Sequence, residues 1–219
     1  LDAAENDATE ISKVLEEKYG FKTTLLLNAN YDDTANAIIN FTRKRSNKDN
    51  LLIYYAGHGE LEKDENRGYW LPVDAGIEQD AKWLGNDNIK NWIRRSKAKH
   101  ILLIVDSCFA GSVLRGNTSQ TSKAKITKNE IERFKALKTR LAITSGGNTP
   151  VVDSDGGSHS YFADKLIRTL KSNKTVITST ELFKSVRKYV IDNADQTPNM
   201  SGIHGTGHDG GEFLFFPKG

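Results

Sequence analysis

The chain has 219 residues, 37% of them apolar and 27% charged, a balance that supports one globular domain with a full core or at most two small ones. A net charge of only +3 argues against nucleic acid or a membrane surface as partner, and no apolar run approaches the ~20 residues of a transmembrane helix. A single cysteine excludes an internal disulfide framework and no signal-peptide pattern is visible, so a reducing, cytoplasmic setting is expected.

Residues 2–19 place Ala4, Ala8, Ile11, Leu15 and Tyr19 on one helical stripe, and Gly20 supplies a stop. Residues 21–27 read as a strand. Asp32 or Asp33 can cap a helix whose apolar face is Ala35, Ile38, Ile39 and Thr42. The run Leu-Leu-Ile-Tyr-Tyr-Ala-Gly-His-Gly at 51–59 reads as a buried strand that ends abruptly. A short strand follows at 68–73, with Pro72 marking its end or an edge position. Asn86 or Asp87 can cap a helix carrying Ile89, Trp92 and Ile93 on one face. The run Ile-Leu-Leu-Ile-Val-Asp-Ser-Cys-Phe-Ala-Gly-Ser at 101–112 is a second buried strand with an abrupt polar end. Residues 112–127 have little to bury and predict a mobile loop. Thr127 with Glu130 is a capping-box pattern before Ile131, Phe134 and Leu137. A buried strand at 141–144 precedes a Gly/Ser/Asp-rich loop at 145–160. Phe162, Leu166 and Leu170 mark the next helix, and Thr178 with Glu181 opens another bearing Leu182, Val186 and Val190. Glycine-rich turns lead to a last strand at 212–216. Strands alternate with helices almost throughout. The fold class is therefore α/β: a mostly parallel central sheet of about six strands with helices on both faces, in a single domain over 1–219.

His58 ends the first apolar run and Cys108 the second. Carboxyl ends of parallel strands beside glycine are where such a fold exposes reactive groups. A free thiol, with a pKa of ~8.5, is only a few per cent ionised at neutral pH. An imidazole beside it can take the proton and later return one to a leaving amine. Gly57 and Gly59 let the backbone turn and let a substrate carbonyl approach main-chain N–H groups. Taken singly, the two residues read as a buried cysteine and a satisfied core histidine. Together, at strand ends and with both glycine contexts, they read as nucleophile and base.

Cys108 lies 50 residues after His58, the caspase-type spacing. Tyr-Ala-Gly-His-Gly and Asp-Ser-Cys-Phe-Ala-Gly resemble the histidine and cysteine motifs of the caspase-like superfamily, and the resemblance runs from Asn6-Asp7-Ala8 to Phe213-Leu214-Phe215-Phe216. The Asp-Ser-Cys form is closer to the metacaspase and prokaryotic caspase-homologue branches than to animal caspases, which carry Gln-Ala-Cys. The resemblance implies a caspase-haemoglobinase-like fold and a cysteine endopeptidase with a His58–Cys108 dyad. It implies an oxyanion hole from the N–H groups of Gly59 and Cys108. It also implies a pocket for the side chain preceding the scissile bond (P1), lined by Asp106 and Asp7 and selecting Arg or Lys. Asp106, two residues before Cys108, should face the same side of its strand. The plainer readings are a helix-capping carboxylate for Asp106 and a first-turn helix carboxylate for Asp7. Ser145, Gly146 and Asp153 fall in a loop that the resemblance sets along the substrate channel, where backbone groups can pair with an extended peptide. The family fold usually begins with a strand before the first helix, so that strand is expected to be missing or to precede residue 1.

The chain departs from the metacaspase pattern at Ala4 and Ala56, where cysteine and serine are common, and at Phe109 and Ala110, which replace His-Ser. Calcium activation in metacaspases comes from an acidic cluster after the histidine loop. Glu60, Glu62, Asp64, Glu65 and Asp74 lie there, but their spacing does not map onto it. No cofactor and no metal site are predicted, and calcium activation stays open. His100, His159, His204 and His208 match no zinc pattern, and His204 and His208 read as loop residues. Residues 112–140 carry eight Lys or Arg against two Glu. A basic loop beside a cleft that prefers basic residues invites self-cleavage, with Arg115, Lys123, Lys125 and Lys128 as candidates. The expected partners are protein or peptide substrates, with a regulatory or sensor domain or partner protein for activation, and neither nucleic acid nor membrane. Two alternatives stand beside this reading: a caspase-like protease with an acidic or other P1 preference, and a non-catalytic caspase-like scaffold.

Overall fold

The computed structural model describes residues 2–62, 64–65, 67–76, 80–107, 126–146 and 158–219. Its elements in chain order are α1 (Asp2–Tyr19), α2 (Tyr31–Arg43), β1 (Asn50–Glu62), β2 (Arg67–Leu71), β3 (Leu84–Gly85), α3 (Asn86–Arg95), β4 (His100–Ser107), α4 (Lys128–Ala136), β5 (Thr139–Thr144), α5 (Tyr161–Ser172), β6 (Ile177–Thr178), α6 (Ser179–Asn193), β7 (Asn199–Gly202) and β8 (Leu214–Phe215). Thr127–Glu130 and Thr178–Glu181 form complete capping boxes, and Ser160 caps α5. The expected caps of α2 and α3 are corrected: Asn30 caps α2 and accepts from Asp33 N, and α3 starts after Gly85 with no side-chain cap bond.

Six strands form the central sheet in the order β3-β2-β1-β4-β5-β7. β1, β4 and β5 run parallel at its centre, and β2, β3 and β7 extend it with antiparallel pairings. β6 and β8 pair separately. Alternation along β4 sorts the core into two layers. Leu102 and Ile104 pack with Leu141 and Ile143 against α1, α5 and α6, while Ile101, Leu103 and Val105 face α2 and α3 through Ala35, Ile38, Ile89 and Ile93. A strand that is apolar on both faces is what a sheet covered on both sides requires, and every residue of β4 is buried. The α/β sheet with helices on both faces is thus the observed architecture.

The segment 21–27 is a correction. It forms no strand among the described residues. Phe21 bonds back to Leu15 O at 3.1 Å and the Thr23 hydroxyl lies 2.7 Å from that of Ser12, so the segment lies along α1. Leu25, Leu26 and Leu27 are exposed. Apolar, β-branched character makes a strand only where a ladder partner exists. Conversely, β7 is a strand that the sequence hides: Asn-Met-Ser-Gly offers one apolar residue, and its place comes from antiparallel pairing with Leu141–Thr144 of β5.

Arg140 is fully buried inside β5, with no acid as ion-pair partner among the described residues. Its guanidinium donates instead to four carbonyls: Lys99 O (3.1 Å), Thr139 O (2.7 Å), Ser96 O (3.1 Å) and Ala98 O (2.7 Å). Burial lowers its pKa to about 10, which still leaves it charged. The side chain ties the turn after α3 to the start of β4. Arg140→Met keeps the bulk but orphans the carbonyls, and is expected to lower unfolding free energy by about 2–4 kcal/mol in urea titration.

Candidate active site

The site is built at the carboxyl ends of the parallel strands. β1 pairs with β4 from Asn50–His100 up to Gly57–Ser107, then leaves β4 and pairs with β2, His58 opposite Leu71. His58 sits at this switch, exposed, and Gly59 behind it is buried. The turn is held by Tyr55, whose hydroxyl donates to His58 O at 2.7 Å and whose ring stacks on Trp70 at 4.1 Å. A Cβ on Gly57 would come within 2.8 Å of that hydroxyl, so glycine is required by contact with the group that fixes the His58 backbone. Cys108 follows Ser107 directly in the chain and lies outside the described residues, as do Asp153 and the candidate cleavage sites Arg115, Lys123 and Lys125. Lys128 is the first residue of α4.

The two acids come together. Asp106 has the parity of Leu102 and Ile104, so it faces the layer formed by α1 and α5. Asp7 lies on the buried stripe of α1 with Ala3 and Ile11, at the i, i+4 spacing of one helix face. The link between them is the start of α5. The Ser160 hydroxyl accepts from Ala163 N at 2.9 Å as helix cap and donates to Asp106 Oδ2 at 2.5 Å. Ser160 N donates to Asp7 Oδ2 at 3.3 Å, and His159 Nδ1 sits 2.6 Å from Asp7 Oδ1. Asp106 is 3% exposed and Asp7 1%, a pair of carboxylates almost sealed from water.

Such a pair resists holding two negative charges. Burial first, and the charge of Asp106 second, raise the Asp7 pKa to about 7, against the opposing hydrogen bonds from His159 and Ser160. Tyr54, on the same face of β1, is half-buried but its hydroxyl oxygen is buried and has no hydrogen-bond partner among the described residues. Burial and both carboxylates push that phenol well above its ordinary value, so it remains a proton donor. Ser145 carries the β5 register one step further: its N–H donates to Val105 O at 3.0 Å and its side chain is fully buried. That N–H is engaged in the sheet, and the parity of Leu141 and Ile143 turns the Ser145 side chain to the Asp106 face.

The plainer reading of Asp7 as a first-turn helix carboxylate does not hold, since Asp7 is buried on the core side of α1. Asp106 accepts from the residue that caps α5, and the segment that follows its strand lies outside the described residues. Ser160 and Tyr54, which sequence reasoning passed over, and His159, which it weighed only as a metal ligand, lie against the two acids. Ser160 had a legible signal, a serine one residue before a helical apolar stripe; the other two are visible only through the packing of α5 and β1 against α1. Among the described residues no group of three or more His, Cys, Asp or Glu is placed to hold a metal ion. Asp74 is held by Lys82 Nζ at 2.5 Å. His100 lies 2.8 Å from the Thr139 hydroxyl, and His208 Nδ1 accepts from Arg140 N at 3.2 Å. No helix among the described residues is long and apolar enough to cross a membrane.

A family model described as the caspase domain matches residues 1–206. No curated protein matches the chain. Among solved structures, protein GSU0716 from Geobacter sulfurreducens is similar with a TM-score of 0.63 and 18% identity, over 92% of this chain and 84% of that one. Caspase-1 from Spodoptera frugiperda is similar with a TM-score of 0.62 and 19% identity, over 90% of this chain and 77% of that one. These structures share the fold.

Proposed function

The chain belongs to the caspase-domain family, a family of cysteine peptidases, and from that premise we propose that it is an endopeptidase using a Cys108–His58 dyad and cleaving after Arg or Lys. The observation that carries the basic preference is the convergence of Asp7 and Asp106, from distant parts of the chain, on one serine. Two buried carboxylates brought this close favour an entering guanidinium or ammonium and repel an aspartate side chain. Support for the dyad is the register: Gly57 pairs with Ser107, and His58 and Cys108 are the residues that follow these two in the sequence.

In this reading the Cys108 thiolate attacks the carbonyl carbon of the basic residue itself, forming a thioester with it. His58 takes the thiol proton and delivers one to the departing amine, and water then hydrolyses the thioester. The N–H groups of Gly59 and Cys108 are proposed to receive the oxyanion. Self-cleavage within 112–127 belongs to the same proposal, since the basic loop offers the residues such a pocket would accept.

Fluorogenic peptides varied at P1, with Cys108→Ala as control, test it. The expected outcome is hydrolysis after Arg and Lys at least about 100-fold above that after Asp or Ala, absent from the control. Robust cleavage after Asp and none after Arg rejects the basic pocket. Absence of all cleavage, together with failure of a thiol-directed probe to label Cys108, favours a scaffold.

A further inference from the structure

The carbonyl of His58 and the N–H of Gly59 belong to one peptide unit, and a side chain of the same strand holds it. The Tyr55 hydroxyl donates to His58 O at 2.7 Å and lies 3.5 Å from Leu71 O. It therefore sits at the first rung of the β1–β2 ladder, where His58 stands opposite Leu71. The ring that carries the hydroxyl is fixed on its own account. It stacks on Trp70 at 4.1 Å with the two planes 6° apart, and Trp70 is 2% exposed. Both rings pack with Ile101, Leu103 and Val105 in the layer under α2 and α3.

We propose that Tyr55 is a positioning residue for the oxyanion donor: by holding the His58 carbonyl it aims the Gly59 N–H at the oxygen of the scissile carbonyl. The proposal rests on the dyad and oxyanion reading above.

Peptide geometry carries the effect from one residue to the next. The unit between His58 and Gly59 is trans, so its C=O and its N–H point in opposite directions, and its plane is stiff. Fixing one end fixes the other. Tyr55 belongs to the α2–α3 layer, so its hydroxyl reaches the carbonyl from that side of the sheet. The Gly59 N–H is thereby turned towards the other side, the one that Asp106 faces. The unit also lies at the end of the β1–β2 ladder, where backbone pairing alone holds a strand least firmly. A donor aimed in advance stabilises charge that appears only as the carbonyl is attacked, so its alignment bears on kcat and not on substrate binding. Loss of the hydroxyl leaves the N–H present but lets the peptide plane rock.

The experiment has two arms, both on Tyr55→Phe, which keeps the ring on Trp70. In the first, kcat for an Arg-containing peptide is expected to fall about tenfold, less than deletion of the donor would cost, with KM within about twofold of the wild type. The pH profile of kcat/KM is expected to keep its shape, since the imidazole is not the group disturbed, and urea unfolding is expected to be nearly unchanged. The second arm uses a peptide aldehyde ending in Arg. Its carbonyl carbon takes the Cys108 sulfur and its oxygen takes the thiol proton, which places a tetrahedral C–O group where the oxyanion forms. Its inhibition constant is expected to weaken by about the same tenfold. Affinity of the uncleaved Arg peptide for Cys108→Ala, with and without Tyr55→Phe, is expected to be equal. An unchanged kcat overturns the inference. So does a kcat loss that leaves aldehyde inhibition intact or shifts the pH profile, and so does a loss of stability in place of a kcat loss. A wild type without Cys108-dependent hydrolysis overturns the dyad reading and this inference with it.

Discussion

Cys108→Ala is expected to abolish peptide hydrolysis, and His58→Ala to lower kcat by about 10²–10⁴-fold with KM for an Arg peptide nearly unchanged. The two losses differ in kind. Without the thiol there is no acyl acceptor and the covalent route is closed. Without the imidazole a thiol remains, and the small thiolate fraction present at neutral pH still attacks. The residual activity of His58→Ala should therefore climb with pH towards the ordinary thiol range near ~8.5, whereas the wild type should not need that climb. KM is expected to hold because the proposed P1 pocket is built by α1, β4 and the start of α5, and His58 belongs to a different turn, fixed through its carbonyl by Tyr55. Single-turnover and steady-state rates from pH 6 to 9 read out the difference. A His58→Ala enzyme with wild-type kcat would remove His58 from the chemistry.

Asp7→Asn is expected to make the protein more stable and a poorer enzyme. Asp7 is an acid whose pKa is raised from 3.8 to about 7 on folding. The unfolded chain thus gives up this proton at lower pH than the folded one. The favourable contribution of the protonated, buried group is fully present below about pH 3.8 and is lost as pH rises through about 7. At pH 8 the wild type buries an ionised acid beside another, at a cost that Asn avoids while keeping the shape. A gain of about 1–3 kcal/mol at pH 8 is expected, shrinking towards zero at pH 4, where Asp7 is protonated in the folded state. Urea unfolding at the two pH values measures it. The same substitution removes one of two charges proposed to meet the substrate cation, and kcat/KM for Arg peptides is expected to fall about 100-fold while selectivity over neutral P1 residues weakens. A variant less stable at pH 8 and fully selective would show Asp7 to be a structural acid only.

Periodicity along the chain determined much. Full burial of β4 was written in its unbroken apolar run, two capping boxes announced α4 and α6, and the strand-end glycines marked His58. The meeting of Asp7 with Asp106 was legible only by resemblance, because nothing local in either segment says that a helix face and a strand end converge on one serine.

Tertiary structure alone decided the rest. Residues 21–27 look like a strand and lie along α1, since a ladder needs a neighbour that sequence cannot supply. Asn199–Gly202 looks like a turn and pairs with β5, since backbone hydrogen bonds ask little of side chains once a partner is placed. Ser160 and His159 read as the tail of a polar loop. They came to bond the two acids only when α5 packed against α1, because closeness across more than 150 positions of chain is a property of packing and not of spacing.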